Sequence, residues 1–274
     1  PYNLLAIEAL MQIDQTLIQV ACFDTTFHVG QGKPVNQYAL PAAYYEQGIR
    51  RYGFHGLSYE FILESLEKTE PGVAAGKVIV AHLGNGASLC AIENGLSVDS
   101  TMGFSALEGL MMGTRCGSID AGVILYLLEE KNMTSEQLTD LLYRQSGLLG
   151  VSGISNDMRQ LLQSESTMAK EAINLFVYRI VCEIGSLMAV LQGLNALVFT
   201  GGIGENEAEI RQRVCDGLVW LGISIDDKAN QAHQHVISSL DSAIKVFVIP
   251  TDEELMIATH TVNNSQESQN SKNL

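Results

Sequence analysis

Twice in this chain a short, mainly apolar run stops on glycine: Val78-Ile79-Val80-Ala81-His82-Leu83 at Gly84-Asn85-Gly86, and Ala196-Leu197-Val198-Phe199-Thr200 at Gly201-Gly202-Ile203-Gly204. Runs this short, without polar alternation, read as strands buried on both faces, the arrangement of an α/β domain with helices on each side of its sheet. Helical periods fill much of the remaining chain. They cover 120–130 (Val123, Ile124, Leu127, Leu128), 135–145, 167–194 (Ile173, Phe176, Ile180, Ile184) and 208–221. Between the two runs, 87–92 and 96–100 flank Glu93-Asn94-Gly95, a strong hairpin signal. Residues 201–206 read as a loop, 18–23 as a β-rich run with Asp24 at its end, and 245–249 as a strand followed by a short helix opened by Glu253. The polar, low-complexity residues 263–274 read as a disordered tail.

In an open α/β sheet a ligand sits beyond the carboxyl ends of the strands, where backbone N–H groups face phosphate. Two glycine loops directly after strands therefore point to an anionic ligand. Charge limits its size. With 31 acidic and 16 basic residues the net charge is −15, so a surface neutralising nucleic acid or anionic membrane is excluded, whereas one small phosphate ligand is not. Two familiar phosphate loops fail. Residues 201–207 lack the third glycine of a dinucleotide fingerprint. Gly72-Val73-Ala74-Ala75-Gly76-Lys77 is one residue short of a P-loop and has Val78 where Ser or Thr must reach magnesium, so it reads as a surface turn. Five cysteines without a C-x-x-C pair suggest neither a disulfide framework nor a zinc ribbon, and a reducing cytoplasm is expected. No membrane span or leader is visible, and Pro1 in place of Met marks an expected break within a longer protein.

Few cations remain to meet such a ligand. Arg115, in Met112-Gly113-Thr114-Arg115-Cys116-Gly117, has glycines on both sides that let the backbone approach closely, and it suits charge stabilisation on a transferring phosphoryl group; a surface salt bridge is the alternative. His55, among glycines and aromatics, and His82, at the first strand's end, are pocket candidates. His28 reads as a satisfied core histidine, and His233, His235 and His260 as solvated. Asp24 is placed to act as a base or to hold a metal-bound water, and Glu253 could equally be a helix cap.

Taken in order, Phe23-Asp24-Thr25-Thr26-Phe27-His28, Arg51-Tyr52-Gly53-Phe54-His55-Gly56, Ala81-His82-Leu83-Gly84-Asn85-Gly86-Ala87-Ser88, Met112-Gly113-Thr114-Arg115, Phe199-Thr200-Gly201-Gly202-Ile203-Gly204-Glu205-Asn206 and Glu253-Glu254-Leu255 resemble the acetate kinase family. This is the acetate/propionate/butyrate kinase group of the sugar-kinase, Hsp70 and actin superfamily. The resemblance spans nearly the whole chain. It implies a ribonuclease H-like mixed sheet with flanking helices and Mg²⁺-dependent (or Mn²⁺-dependent) phosphoryl transfer from ATP to acetate, giving acetyl phosphate and ADP.

Carried over by position, Asp24 would lie near the substrate carboxylate and metal waters, and His55 and Arg115 would stabilise the transition state. His82, Leu83, Gly84, Asn85 and Gly86 would form a phosphate turn, Asp157, Met158 and Arg159 would contact the nucleoside, and Gly202, Ile203, Gly204, Glu205 and Asn206 would form the adenosine loop. Glu253 would ligate magnesium and Phe54 would line the acetate pocket. A cytoplasmic homodimer that binds neither nucleic acid nor membrane is implied. Ala106 stands where the family has proline, and Arg115-Cys116-Gly117-Ser118 where it has Arg-Ser-Gly-Asp, departures that bear on acyl-chain preference. The family's opening Asn-x-Gly-Ser-Ser-Ser-x-Lys hairpin has no counterpart, so roughly an N-terminal third is expected to be missing. The expected division is a remnant of the N-terminal domain at 1–26, a nucleotide-binding domain at 27–253, a returning segment at 254–262 and the tail. Propionate kinase and a non-catalytic nucleotide-binding fragment are the alternatives.

Overall fold

A computed structural model describes residues 2–271. Five strands form one sheet in the order β3-β2-β1-β4-β5: β1 Lys77–Leu83, β2 Ala87–Glu93, β3 Leu96–Ser100, β4 Ala196–Thr200 and β5 Lys245–Val248. The first three run antiparallel, closed between β2 and β3 by Asn94 and Gly95 at φ 52° and 77°, the paired left-handed conformation that Asn-Gly tolerates. β4 then pairs parallel with β1, Val78 opposite Ala196, and β5 parallel with β4. This mixed sheet is the ribonuclease H-like arrangement.

Thirteen helices surround it among the described residues. Before β1 lie α1 Tyr2–Ile13, α2 Ala42–Glu46, α3 Gly56–Thr69 and α4 Pro71–Ala74. The crossover from β3 to β4 carries α5 Ala121–Glu129, α6 Ser135–Arg144, α7 Gly147–Ser152, α8 Met158–Leu162 and α9 Thr167–Leu191. Then come α10 Gly201–Asn206, α11 Ala208–Asp216 and α12 Asp227–Gln231, and α13 Glu253–Ser271 follows β5.

Side-chain alternation along the strands sorts the core into two layers. Ile79, Ala81 and Leu83 of β1, Leu197 and Phe199 of β4 and Val246 of β5 face α9, meeting Phe176, Ile180 and Ile184. Val78, Val80, Cys90, Val198 and Phe247 face the other way, onto Tyr59, Ile62 and Leu66 of α3. Burial on both faces is why these strands read as unbroken apolar runs. α9 is long and apolar enough to cross a bilayer, yet it lies along the sheet with Ala169, Ala172, Ile173 and Leu187 buried.

Four sequence expectations need correction. Residues 201–206 are helical rather than a loop. Glu205 Oε1 accepts from Gly201 N–H at 2.8 Å and fixes the first turn of α10, despite three glycines. Residues 18–23 form no strand, because none of the described strands lies alongside to pair with them; Ile18 and Phe23 are exposed. The helix opened by Glu253 is long and runs through 263–271, the first part of the expected tail, while 272–274 lie outside the described residues. Finally, His260 is half-buried and bonded to Glu60 at 2.9 Å rather than solvated.

Candidate active site

The carboxyl ends of β1, β4 and β5 open on the same side of the sheet, and most of the residues singled out in the sequence gather there. A cavity of about 470 Å³ is lined by Gly84 and Asn85 from the turn after β1, by Asn156, Asp157, Met158 and Arg159, and by Gly202, Ile203, Asn206 and Glu207 of α10 and its end. Three segments far apart in sequence thus meet at one concavity. Asn156 Nδ2 donates to Asn85 Oδ1 at 3.0 Å and ties two of them together. Asp157 caps α8 by accepting from Arg159 N–H at 3.0 Å, and the Arg159 guanidinium returns to the same carboxylate, holding it below its usual range.

Not every expected residue reaches this cavity. Gly204 is buried beneath it, and Glu205 turns away to accept from Gly201 N–H and from Thr251 N–H at 3.1 Å, joining α10 to the chain after β5. Leu83 is in the core. His82 and Gly86 face a second cluster.

That cluster centres on His55. Its backbone is left-handed, φ 57°, at the start of α3, an unfavourable conformation for a residue with a Cβ. Asp24 holds it there: Oδ2 accepts from His55 N–H and the main-chain carbonyl from Gly56 N–H, both at 2.8 Å. The His55 ring stacks on that of His82, centroids 4.2 Å apart and 18° from parallel. Burial is the main reason both imidazoles stay neutral, His55 down to about 4, with Arg115 beside it, and His82 down to about 3, with His55 beside it. His82 Nδ1 bonds Ser58 Oγ at 2.9 Å, and His55 Nδ1 bonds Ser88 Oγ at 2.8 Å.

Arg115 enters from the loop before α5. Nη1 donates to the Ala106 carbonyl at 2.6 Å, so this guanidinium is oriented by backbone and not consumed by a surface carboxylate. Burial lowers its pKa somewhat. Its other terminus points at Gly86: a Cβ there would lie 2.7 Å from Arg115 Nη2 and 3.1 Å from His55 Nε2. Two side-chain nitrogens therefore converge beside a glycine one residue from the cavity-lining Asn85.

Glu253 lies at the start of α13, where Asp252 Oδ1 makes the cap to Leu255 N–H at 2.9 Å. The cap reading thus belongs to Asp252, and the Glu253 carboxylate has no hydrogen-bond partner among the described residues. Burial and then the charge of Asp24 push its pKa up. The two carboxylates thus feel one another's charge, though no group of three or more His, Cys, Asp or Glu side chains among the described residues is placed to hold a metal ion. Phe54 packs on the core, and its carbonyl accepts from His28 Nε2 at 3.1 Å; His28, bonded also to Ser97, is the satisfied core histidine expected.

Sequence reading missed Asn156, Glu207, Ser58, Tyr59, Ser88 and Arg211. The first two adjoin recognised motifs and could have been included. Arg211 is fully buried, and it holds α10 from below, donating to the Gly204 and Glu205 carbonyls at 2.9 and 2.8 Å and to Asn230. No local signal marks it.

The mixed ribonuclease H-like sheet with flanking helices, and a glycine turn at the end of β1 on which Arg115 and His55 converge, is an α/β domain of the actin, Hsp70 and sugar-kinase kind. The Acetokinase family profile matches residues 1–259, and the chain belongs to that family. It is 57% identical over 263 residues to an acetate kinase of Rhodopseudomonas palustris and 55% identical over 262 residues to one of Methylocella silvestris, covering 95% and 96% of this chain. It spans only 66% and 65% of the length of those two relatives. Among solved structures, Porphyromonas gingivalis acetate kinase superposes with a TM-score of 0.89 at 38% identity over 95% of this chain and 67% of that one. A propionate kinase from Francisella tularensis gives 0.89 at 41%, over 94% and 67%.

Proposed function

We propose that this chain is the nucleotide-binding and phosphoryl-transferring part of a cytoplasmic, homodimeric acetate kinase, catalysing ATP plus acetate to ADP plus acetyl phosphate with Mg²⁺ or Mn²⁺. The observation that carries this reading is the convergence of Arg115 Nη2 and His55 Nε2 on Gly86, beside the cavity built from 84–85, 156–159 and 202–207.

In this reading the nucleoside occupies the cavity beside Asp157, Met158, Arg159 and α10, and the phosphates run along Gly84, Asn85 and Gly86. An acetate oxygen attacks the terminal phosphorus as the bond to the ADP oxygen breaks, its electrons leaving with ADP. Acetate is already ionised at neutral pH, so no general base is required. Catalysis then rests on alignment and on positive charge at the equatorial oxygens, which Arg115 and the Nε2–H of a neutral His55 supply. Asp24 and Glu253 would hold the metal, which when bound neutralises phosphate charge. In this reading Phe54 would line the acyl pocket, and Ala106 stands where the family's proline helps to shape it. The apolar, largely exposed face of α5, with Val123, Leu125 and Tyr126, is the surface offered for dimerisation.

The segments 1–26 and 254–262 are read as belonging with a second, N-terminal domain. The test is acetohydroxamate formation, with the chain alone and with the chain joined to an upstream segment carrying the Asn-x-Gly-Ser-Ser-Ser-x-Lys hairpin. Little product from the chain alone and robust product from the joined protein are expected; no product from a folded joined protein refutes the reading in favour of a non-catalytic nucleotide-binding fragment. Ala106 in place of proline favours propionate as a second substrate. A kcat/KM comparison decides this, one methylene being worth about 1–3 kcal/mol.

A further inference from the structure

We infer that Tyr59 and Ser88 form a hydroxyl relay that fixes the tautomer of His55, keeping its proton on Nε2, where it faces the phosphoryl site. Both are positioning residues, and the inference rests on the role proposed above for His55.

Counting donors and acceptors carries the argument. Tyr59 and Ser88 have no exposed surface. The Tyr59 hydroxyl has one hydrogen-bond partner among the described residues, Ser88 Oγ; Ser88 Oγ has two, Tyr59 and His55 Nδ1. A buried phenol hydrogen must be placed on an acceptor, and here Ser88 Oγ is the acceptor within reach. Burial keeps that phenol protonated, well above its usual range.

With Tyr59 donating, the single Ser88 hydrogen has one remaining acceptor, His55 Nδ1. Nδ1 must then be the bare nitrogen, and a neutral imidazole carries its proton on Nε2. Reversing the relay would require Nδ1–H to donate to Ser88 and Ser88 to Tyr59. The phenol hydrogen would then have no acceptor in a sealed core. Every donor is satisfied in one direction only.

The geometry gives the relay a purpose. His55 Nε2 has no hydrogen-bond partner among the described residues and lies against Gly86 beside Arg115 Nη2. As N–H it complements phosphate oxygen; as a bare lone pair it would repel it. The groups facing the imidazole are the Arg115 guanidinium, His28, whose pKa burial lowers, and the stacked His82, while the Asp24 carboxylate meets the His55 backbone N–H and not the ring. None of these accepts a proton from Nδ1, so the hydroxyl relay makes the choice. Tyr59 comes from α3 and Ser88 from β2, so the two elements that flank the site set the protonation between them.

Nitrogen-15 NMR of the ligand-free chain labelled at histidine tests this near neutral pH. Assignment to His55 comes from the resonance pair lost in His55→Gln. A pyridine-like resonance on Nδ1 and a proton-coupled, pyrrole-like resonance on Nε2 are expected for the unmodified chain. In Tyr59→Phe, which removes one hydroxyl and keeps the ring, the Ser88 hydrogen is free to rotate and the two resonances should move toward each other as the second tautomer becomes populated. A proton found on Nδ1 in the unmodified chain overturns the relay, as does a Tyr59→Phe spectrum with both His55 resonances unmoved. The spectrum is independent of turnover: if His55→Gln in the protein joined to its upstream segment leaves phosphoryl transfer intact, the role of His55 fails, whereas a proton on Nδ1 refutes the relay alone.

Discussion

Arg115 and His55 do different work although they meet at one glycine. Arg115 brings permanent charge, so in the protein joined to its upstream segment Arg115→Ala should keep Mg·ADP affinity within a few fold and lose turnover by about 10³ or more, near 4 kcal/mol of barrier. Activity within tenfold of the unmodified protein would reject that role. His55 and His82 enter neutral, and this has a consequence for stability. Their folded pKa values, about 4 and about 3, lie below the ordinary 6.5. Below 6.5 the unfolded chain therefore binds protons that the folded chain refuses, and stability rises with pH across that window. The urea midpoint should be highest above pH 6.5 and fall as pH drops toward 4, with a shallower fall in His82→Gln; a midpoint that improves on acidification contradicts the burial of neutral rings. Arg115 and His55 were legible in the sequence because glycines beside them announced close backbone approach. Ser88 and Tyr59 were not, since a serine in one strand and a tyrosine in one helix carry no joint signal until the fold brings them into contact across 29 positions.

At the level of elements, the strands declared themselves because both faces are buried, leaving runs that no exposed strand could carry. α10 did not. Its three glycines argue against helix, and side chains override them at both ends: Glu205, from α10 itself, caps the first turn, while Arg211, from α11, caps the last carbonyls. Such a cap is unusual, a buried guanidinium without a carboxylate partner, whose own pKa burial lowers to about 10. Arg211→Met should leave the Gly204 and Glu205 carbonyls unpaired, cost about 3 kcal/mol in urea unfolding, and weaken ADP binding through disorder of α10. A variant with unchanged stability would mean that the helix ends are held otherwise. The turn after β1 gives a sharper case. Gly86→Ala would set a methyl against Arg115 Nη2 and His55 Nε2, so turnover of the joined protein should collapse while the melting temperature barely moves. The run at 18–23 shows the opposite limit: β propensity specifies a strand only where another strand is available to pair.

For the whole molecule, three segments far apart in sequence, 84–85, 156–159 and 202–207, form one cavity because β1 and β4 run parallel and end together, and the crossover through α5–α9 returns 156–159 to the same edge. The α/β class was read from two apolar runs stopping on glycine, but 157–159 were reached only through family resemblance and Asn156 was missed. Net charge of −15 is compatible with the proposed site, where phosphate would be met by backbone N–H groups and by Arg115 and Arg159, not by a basic face. The account turns on that cavity being the nucleotide site. Titrating Mg·ADP into the isotope-labelled chain, and following backbone amide shifts, tests it most directly. One site per chain is predicted, with the largest shifts at 84–86, 156–159 and 202–207; no binding, or shifts centred elsewhere on the molecule, would contradict it.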